Sequence, residues 1–165
     1  MRSWAWLMLA ITVLALASPA TGQAADGHVW QRYTNARFGY TLCYPADLLH
    51  PQGESPNGDG QRFVADDGAV LLVYARFNVL DETLRAIVAE TGERLAGGGG
   101  KVTHQTLRAE RGVVSGVSGR EVFYARVQIR RDQVQGLELN YAQARAGVYD
   151  RNATRLSACF SNPEK

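Results

Sequence analysis

The chain is short of most residues that build metal and redox centres: 165 residues contain two cysteines and three histidines. Cys43 and Cys159 have no CxxC partner, and His28, His50 and His104 show no ligand spacing to one another or to the cysteines. There is little charge imbalance either. The formal net charge is +2, far from the strongly basic face that a nucleic-acid partner calls for. After residue 16 no apolar run is long enough to span a membrane. No complete cofactor or catalytic motif occurs, and no cofactor is expected.

Three fragments of such motifs stop short. The loop Asn57-Gly58-Asp59-Gly60-Gln61 alternates oxygen donors like part of a calcium loop, with Glu54, Asp66 and Asp67 near in sequence. An EF-hand loop would need a glutamate at its twelfth position, which counted from Asn57 is Gly68. Gly97-Gly98-Gly99-Gly100 lacks the Lys-Ser/Thr pair and following helix of a phosphate loop, and reads as a linker. Ser118 lies in Gly116-Val117-Ser118-Gly119-Arg120, where a nucleophile elbow would need glycine at Arg120 and a helix after it.

What is present begins with an export signal. Arg2 precedes the apolar run Trp4 to Leu16, and small residues follow it, so cleavage is expected after Ala24, with Ala20 as the competing site. The expected organisation is a signal peptide over 1–24 and one domain over 25–165, periplasmic or secreted. Removing 24 residues leaves 141, enough to bury about two-thirds of the unfolded surface. Only Arg2 is lost among charged groups, which takes the 18 basic side chains to 17 against 16 acidic. In an oxidising compartment Cys43 and Cys159 are read first as a disulfide, with a zinc site or a redox pair as alternatives.

Trp30 to Tyr33 is expected as a short edge strand, and alternation then predicts the strands that follow. Phe38, Tyr40, Leu42 and Tyr44 share one face of a half-buried strand that ends at Pro45. One helical turn over Ala46 to His50 is expected to place Leu48 or Leu49 as a plug, followed by a polar loop to Gly60. Gln61 to Ala65 is the next strand, and Asp66-Asp67-Gly68 is a hairpin turn. Val70 to Phe77 is apolar on both faces and is expected at the centre of the sheet, covered on both sides.

Asp81 is expected to cap a helix over 82–96, with Leu84, Ile87, Val88 and Leu95 on its buried stripe. A meander follows: Val102 to Leu107, Gly112 to Gly116, Glu121 to Arg130 and Gly136 to Tyr141. In its third strand Phe123, Ala125, Val127 and Ile129 form an apolar face, against Val122, Tyr124, Arg126, Gln128 and Arg130 on the other. Asp150 is expected to cap a last helix to about Phe160. The order ββββα-ββββα specifies an α+β domain, an antiparallel sheet of about six to eight strands covered by two main helices.

The pattern Tyr33-x-Asn35-x-Arg37-Phe38-Gly39-Tyr40-x-Leu42-x-Tyr44-Pro45, then Asn57-Gly58-Asp59-Gly60-x-x-Phe63 and Val114-Ser115-Gly116, resembles small exported bacterial proteins of uncharacterised function. The strand-helix order is similar to the Mog1/PsbP-like fold that includes the periplasmic DcrB group. The resemblance implies a scaffold with a binding or accessory role; no functional motif of those relatives has a counterpart in this sequence.

Two surfaces are the candidate binding sites: the oxygen-rich loop with Asn57 and Asp59, and a positive patch at Arg126 and Arg130 suited to an acidic protein or an anionic glycan of the cell envelope. The plain reading of the patch is a solvated sheet face. The favoured function is non-enzymatic binding. The alternative is a small secreted hydrolase whose site, with Ser118, His104 and an acid, assembles only in the fold. Asn152-Ala153-Thr154 also matches a glycosylation sequon.

Overall fold

The computed structural model describes residues 27–161. The expected signal peptide, residues 1–24, lies outside them. Nine strands and two helices follow in the order β1 (Trp30–Thr34), β2 (Thr41–Pro45), β3 (His50–Glu54), β4 (Gly60–Val64), β5 (Val70–Phe77), α1 (Leu84–Ala96), β6 (Lys101–Arg108), β7 (Arg111–Ser118), β8 (Glu121–Arg130), β9 (Gln133–Ala142) and α2 (Ala146–Cys159). Strands β1 and β2 pair as a separate ribbon. The other seven form one antiparallel sheet in the order β3-β4-β5-β9-β8-β7-β6. This is the α+β architecture expected from the sequence.

Strand β5 is not the centre of the sheet; β9 is. Leu71, Val73 and Ala75 are buried, opposite Leu139, Leu137 and Gln135 of β9. On the other face Leu72 is exposed and Tyr74 only half-buried, so the expected cover on both sides is present on one. A strand apolar on both faces reports its composition, not what packs on it.

The two helices explain this. Helix α1 packs on β6, β7 and β8 on one face, while α2 packs on β2, β9 and β8 on the other. Thr83, not Asp81, caps α1: its Oγ1 accepts from the Ala86 N–H at 3.2 Å. Asp81 sits two residues earlier at φ 50° in the turn that Asn78 closes, with Asn78 Oδ1 accepting from the Glu82 N–H. Ile87, Val88, Thr91, Gly92 and Ala96 are the buried stripe, with the expected Leu84 and Leu95 half-buried at its margin. Gly92 is there for close approach, because a Cβ would stand 2.8 Å from Val114 Cγ2. Beneath the helix, a Cβ on Gly112 would stand 2.5 Å from Val88 Cγ2.

The second helix is longer than expected. It begins at Ala146 behind a 3-10 turn, Gln143–Arg145, and Asp150 lies inside it, where its carboxylate accepts from the Tyr141 hydroxyl. Tyr149, Ala153, Leu156 and then Phe160 enter the main core with Tyr40, Leu42, Phe63, Leu71, Val73, Leu137 and Leu139. The predicted helical turn at Ala46 is a turn whose Leu49 is fully buried, and the polar segment after it is strand β3, not loop.

Two long-range links fix α2. Cys43 and Cys159 form a disulfide with Cα atoms 5.6 Å apart, joining β2 to the end of the helix. At the start of the helix, Arg145 Nε and the Tyr149 hydroxyl donate to the two oxygens of Asp67, at 2.7 and 2.8 Å. Asp67 belongs to the β4–β5 turn, so the hairpin signal in the sequence also anchors a helix about eighty residues away. Partial burial works against its charge, but the hydrogen bonds from Tyr149 and Arg145 outweigh it and hold the carboxyl below its ordinary value of 3.8.

Replacing both cysteines by serine is expected to lower stability by about 4 kcal/mol, since the bridge closes most of the chain, as measured by denaturant unfolding with wild type as reference. Asp67→Asn is expected to cost about 1–2 kcal/mol at pH 7. A depressed folded-state pKa stabilises above the ordinary carboxylate value and is lost as pH falls through the folded one. The unfolding curves of Asp67→Asn and wild type should therefore differ at neutral pH and converge in acid.

Candidate functional site: a cationic groove on the open half of the sheet

Because the helices lie on opposite faces and share only β8 of the sheet strands, each face keeps one open quadrant among the described residues. On the α1 face the open part is over β5 and β9. On the α2 face it is over β6 and β7, as far as Arg126 of β8 where the helix begins to cover the sheet. A cleft of about 330 Å³ occupies each.

The cleft beside α1 is charge-neutral inside. Glu138, 3% exposed, is held by both terminal nitrogens of Arg94 on α1, and Arg76 pairs with Glu82 at 2.6 Å. Burial and the neighbouring Glu138 carboxylate push the Tyr74 hydroxyl's pKa up, so this phenol stays protonated. Gly136 leaves room for the Tyr74 ring: a Cβ there would lie 2.5 Å from Cζ. Sequence reasoning missed these residues. The available signal was the lone acid in Leu137-Glu138-Leu139, an otherwise apolar stretch of strand.

The groove beside α2 is different. Thr106 and Arg108 of β6, Arg111 and Val113 of β7, Arg126 of β8 and Ser157 of α2 line it. Arg126 is not on a solvated face; it is 6% exposed, because α2 crosses over it. One terminal nitrogen donates to the Ser157 carbonyl and the other to Gln128 Oε1 at 2.9 Å, with the guanidinium 5.5 Å from the Phe160 ring centre. Gln128 continues to Gln135 at 2.7 Å and Gln135 to Gln133 at 3.0 Å. This ladder crosses from β8 to β9 and supplies neutral dipoles only. No carboxylate pairs with Arg126 among the described residues, and its buried Nε has no acceptor.

Burial first, then the like charges of Arg111 and Arg130, hold the Arg126 pKa below its ordinary value. A guanidinium remains charged under any such shift of modest size. Arg130, at the end of the strand, is neutralised by Glu110 in the β6–β7 turn. Arg108 and Arg111, directly opposite each other, make no ion pair among the described residues. The positive site is thus Arg108, Arg111 and Arg126, with Arg130 at its margin.

The chain's structural likeness fits this frame. No family model matches the sequence, and no curated protein sequence matches it significantly. Among solved structures, the chain is similar to the solution structure of cyanobacterial PsbP (CyanoP) from Synechocystis sp. PCC 6803, with a TM-score of 0.59 over 89% of this chain and 98% of that one, at 20% identity. The domain is PsbP-like. That statement concerns the fold of the chain, and it agrees with the resemblance in the sequence.

The PsbP-like sheet keeps the two candidate surfaces apart. Asn57 and Asp59 lie between β3 and β4, whereas Arg126 and Arg130 lie on β8, with β5 and β9 between. The oxygens of the loop are directed at the loop: Ser55 Oγ donates to Asp59 Oδ1 and Asn57 Nδ2 to Asp59 Oδ2 at 2.8 Å. Arg37 reaches the Asn57 carbonyl at 2.6 Å, and the Asn35 amide reaches the Gly58 carbonyl at 3.0 Å. Nearby Tyr33 donates to Glu54 at 2.6 Å; burial and this bond push its pKa up to about 12.

Ser118 donates to the Ala96 carbonyl at 2.9 Å, which satisfies the end of α1. His104 stands on β6 opposite Ser115, and no hydrogen bond joins it to Ser118 among the described residues. Asn152 of the sequon is buried in α2.

The neutral cleft offers a control. Arg94→Ala leaves the Glu138 carboxylate buried without its cation and is expected to cost about 2–3 kcal/mol, somewhat under a fully buried pair because Arg94 is half exposed. Adding Glu138→Leu should recover most of that loss, as read from the midpoints of urea unfolding in the two variants.

Proposed function

We propose that this PsbP-like chain is an exported, non-enzymatic binding or accessory protein of the bacterial cell envelope, and that the groove beside α2 receives an acidic group of a protein or glycan partner. The apolar run Trp4 to Leu16 behind Arg2 and the Cys43–Cys159 disulfide support the compartment. Among the described residues no helix is long and apolar enough to cross a membrane.

The binding reading rests on Arg126. Removing a cation from water costs several kcal/mol unless an anion compensates it, and the described residues offer this one only neutral acceptors. An apolar side chain would fill the same place beneath α2 without that cost. With Arg108 and Arg111 at the rim, the groove has the field of a receptor for negative charge.

The test reverses the rim, which leaves the core alone. Arg108→Glu with Arg111→Glu should keep the wild-type melting temperature. Capture of a partner from envelope extract by the immobilised protein should fall at least tenfold, and 0.5 M NaCl should release the wild-type complex. Unchanged capture by the reversed variant would end the proposal.

A further inference from the structure

The sheet has two edges, and they are built in opposite ways. Edge strand β3 is blunted. Pro51 has no N–H to offer, the register slips between Pro51 and Glu54, and Gly53 takes φ 92°. The side chain of Glu54 is tied to Tyr33 of the β1–β2 ribbon.

Edge strand β6 carries such guards only at its start, where Lys101 and a register slip stand. It has eight residues and no proline, and its register irregularity is confined to Val102–His104. From His104 to Arg108 it runs in step with Ser115 to Arg111 of β7. Every residue of β6 is exposed except Leu107, which is half-buried under α1. No strand of the described chain pairs with its outer side. In an antiparallel pair, alternate residues direct both N–H and C=O away from the partner, so this edge presents an unpaired ladder.

Its charge is one-sided. From Lys101 to Ser118, β6, the turn and β7 carry Lys101, Arg108 and Arg111 against one acid, Glu110, which Arg130 neutralises. Because side chains alternate, His104, Thr106 and Arg108 share the face that carries the groove, while Leu107 turns to the α1 side.

We propose that β6 accepts an extended acidic peptide segment as an eighth strand, with acidic side chains at alternate positions turned toward Arg108 and Arg111. This deepens the reading of the groove and rests on it. A strand added at the usual 4.7–4.9 Å places its groove-side residues directly beside Arg108, the cross-strand neighbour, and one strand away from Arg111. Main-chain bonds would supply affinity, and the two-residue period of charge would supply the choice of partner.

The probes are acetylated, amidated eight-residue peptides that alternate Glu with Thr, or Lys with Thr. Amide exchange by NMR on the whole domain is the readout. The acidic peptide should slow exchange at least tenfold at every second amide of His104 to Arg108, those not already bonded to β7. The lysine peptide should leave them unchanged. N-methylation of alternate residues should abolish binding in one phase and spare it in the other, because only one set of peptide N–H groups faces β6. Arg108→Glu should weaken the acidic peptide at least tenfold.

If the acidic peptide binds through Arg108 and Arg111 but tolerates methylation in both phases and protects no alternate amides, strand addition is wrong and the groove reading stands. Equal binding of the lysine peptide, or no binding of the acidic one at millimolar concentration, also overturns strand addition, and the capture experiment then judges the groove alone. Binding that survives reversal of Arg108 and Arg111 together counts against both.

Discussion

A seven-stranded sheet has more surface than two short helices can cover, and this mismatch organises the molecule. At the usual strand spacing the sheet is roughly 29 Å across. Helices of 13 and 14 residues are about 20 Å long and about 10 Å wide, so each can cover only part of one face. Had both been placed over the same strands, one half of the sheet would have been bare on both sides. Instead they are offset to opposite halves. Every strand of the sheet but β3 gains cover on at least one face, and the β1–β2 ribbon with Phe38 and Tyr40 adds to the α2 layer. The two open quadrants are the remainder of that division.

The offset must be held, because nothing in the alternation of an antiparallel sheet chooses where along it a helix lies. For α1 the choice is made by shape: Gly92 above and Gly112 below let helix and strand approach at one place only. For α2 it is made by links at both ends. Asp67 holds the first turn through Arg145 and Tyr149, and Cys159 holds the last through Cys43. The bridge between Thr41 and Ser161 continues the attachment past the helix. Fixing α2 in this way lays Ser157 and Phe160 over Arg126, and so turns a sheet-face arginine into the floor of a groove.

This dependence marks the boundary of what the sequence can be read to say. The alternation in Glu121 to Arg130 identifies both faces of β8, and the cysteine pair is legible from number and compartment. Strand β3 was hidden because Pro51 and Gly53 are turn residues by local preference; it exists by pairing with β4. The start of α2 was hidden because no side chain caps it and a 3-10 turn leads into it. The candidate site is half legible. Arg126 and Arg130 fall on one face by period alone, but their different fates, one buried beneath α2 and one neutralised by Glu110, come from partners 20 to 31 residues away. Arg94 and Glu138, 44 residues apart, carry no local mark of their pairing.

The contrast between the two quadrants is what favours the α2 groove as the proposed binding site. Both have a cleft of similar size, both contain a buried ionisable group, and both are bounded by a helix. On the α1 side the chain supplies the opposite charge itself, so Glu138 is complete without a ligand. On the α2 side the same fold could have placed an acid on Ser157, Thr154 or Thr106, each of which lines the groove, and none is there. The positive charge extends outward through Arg111 and Arg108 to an edge strand that lacks a partner among the described residues. The two vacancies, one of charge and one of backbone pairing, adjoin each other at β6. An extended acidic strand would satisfy both at once, whereas a compact anion would answer only the first and leave the edge of the sheet unpaired.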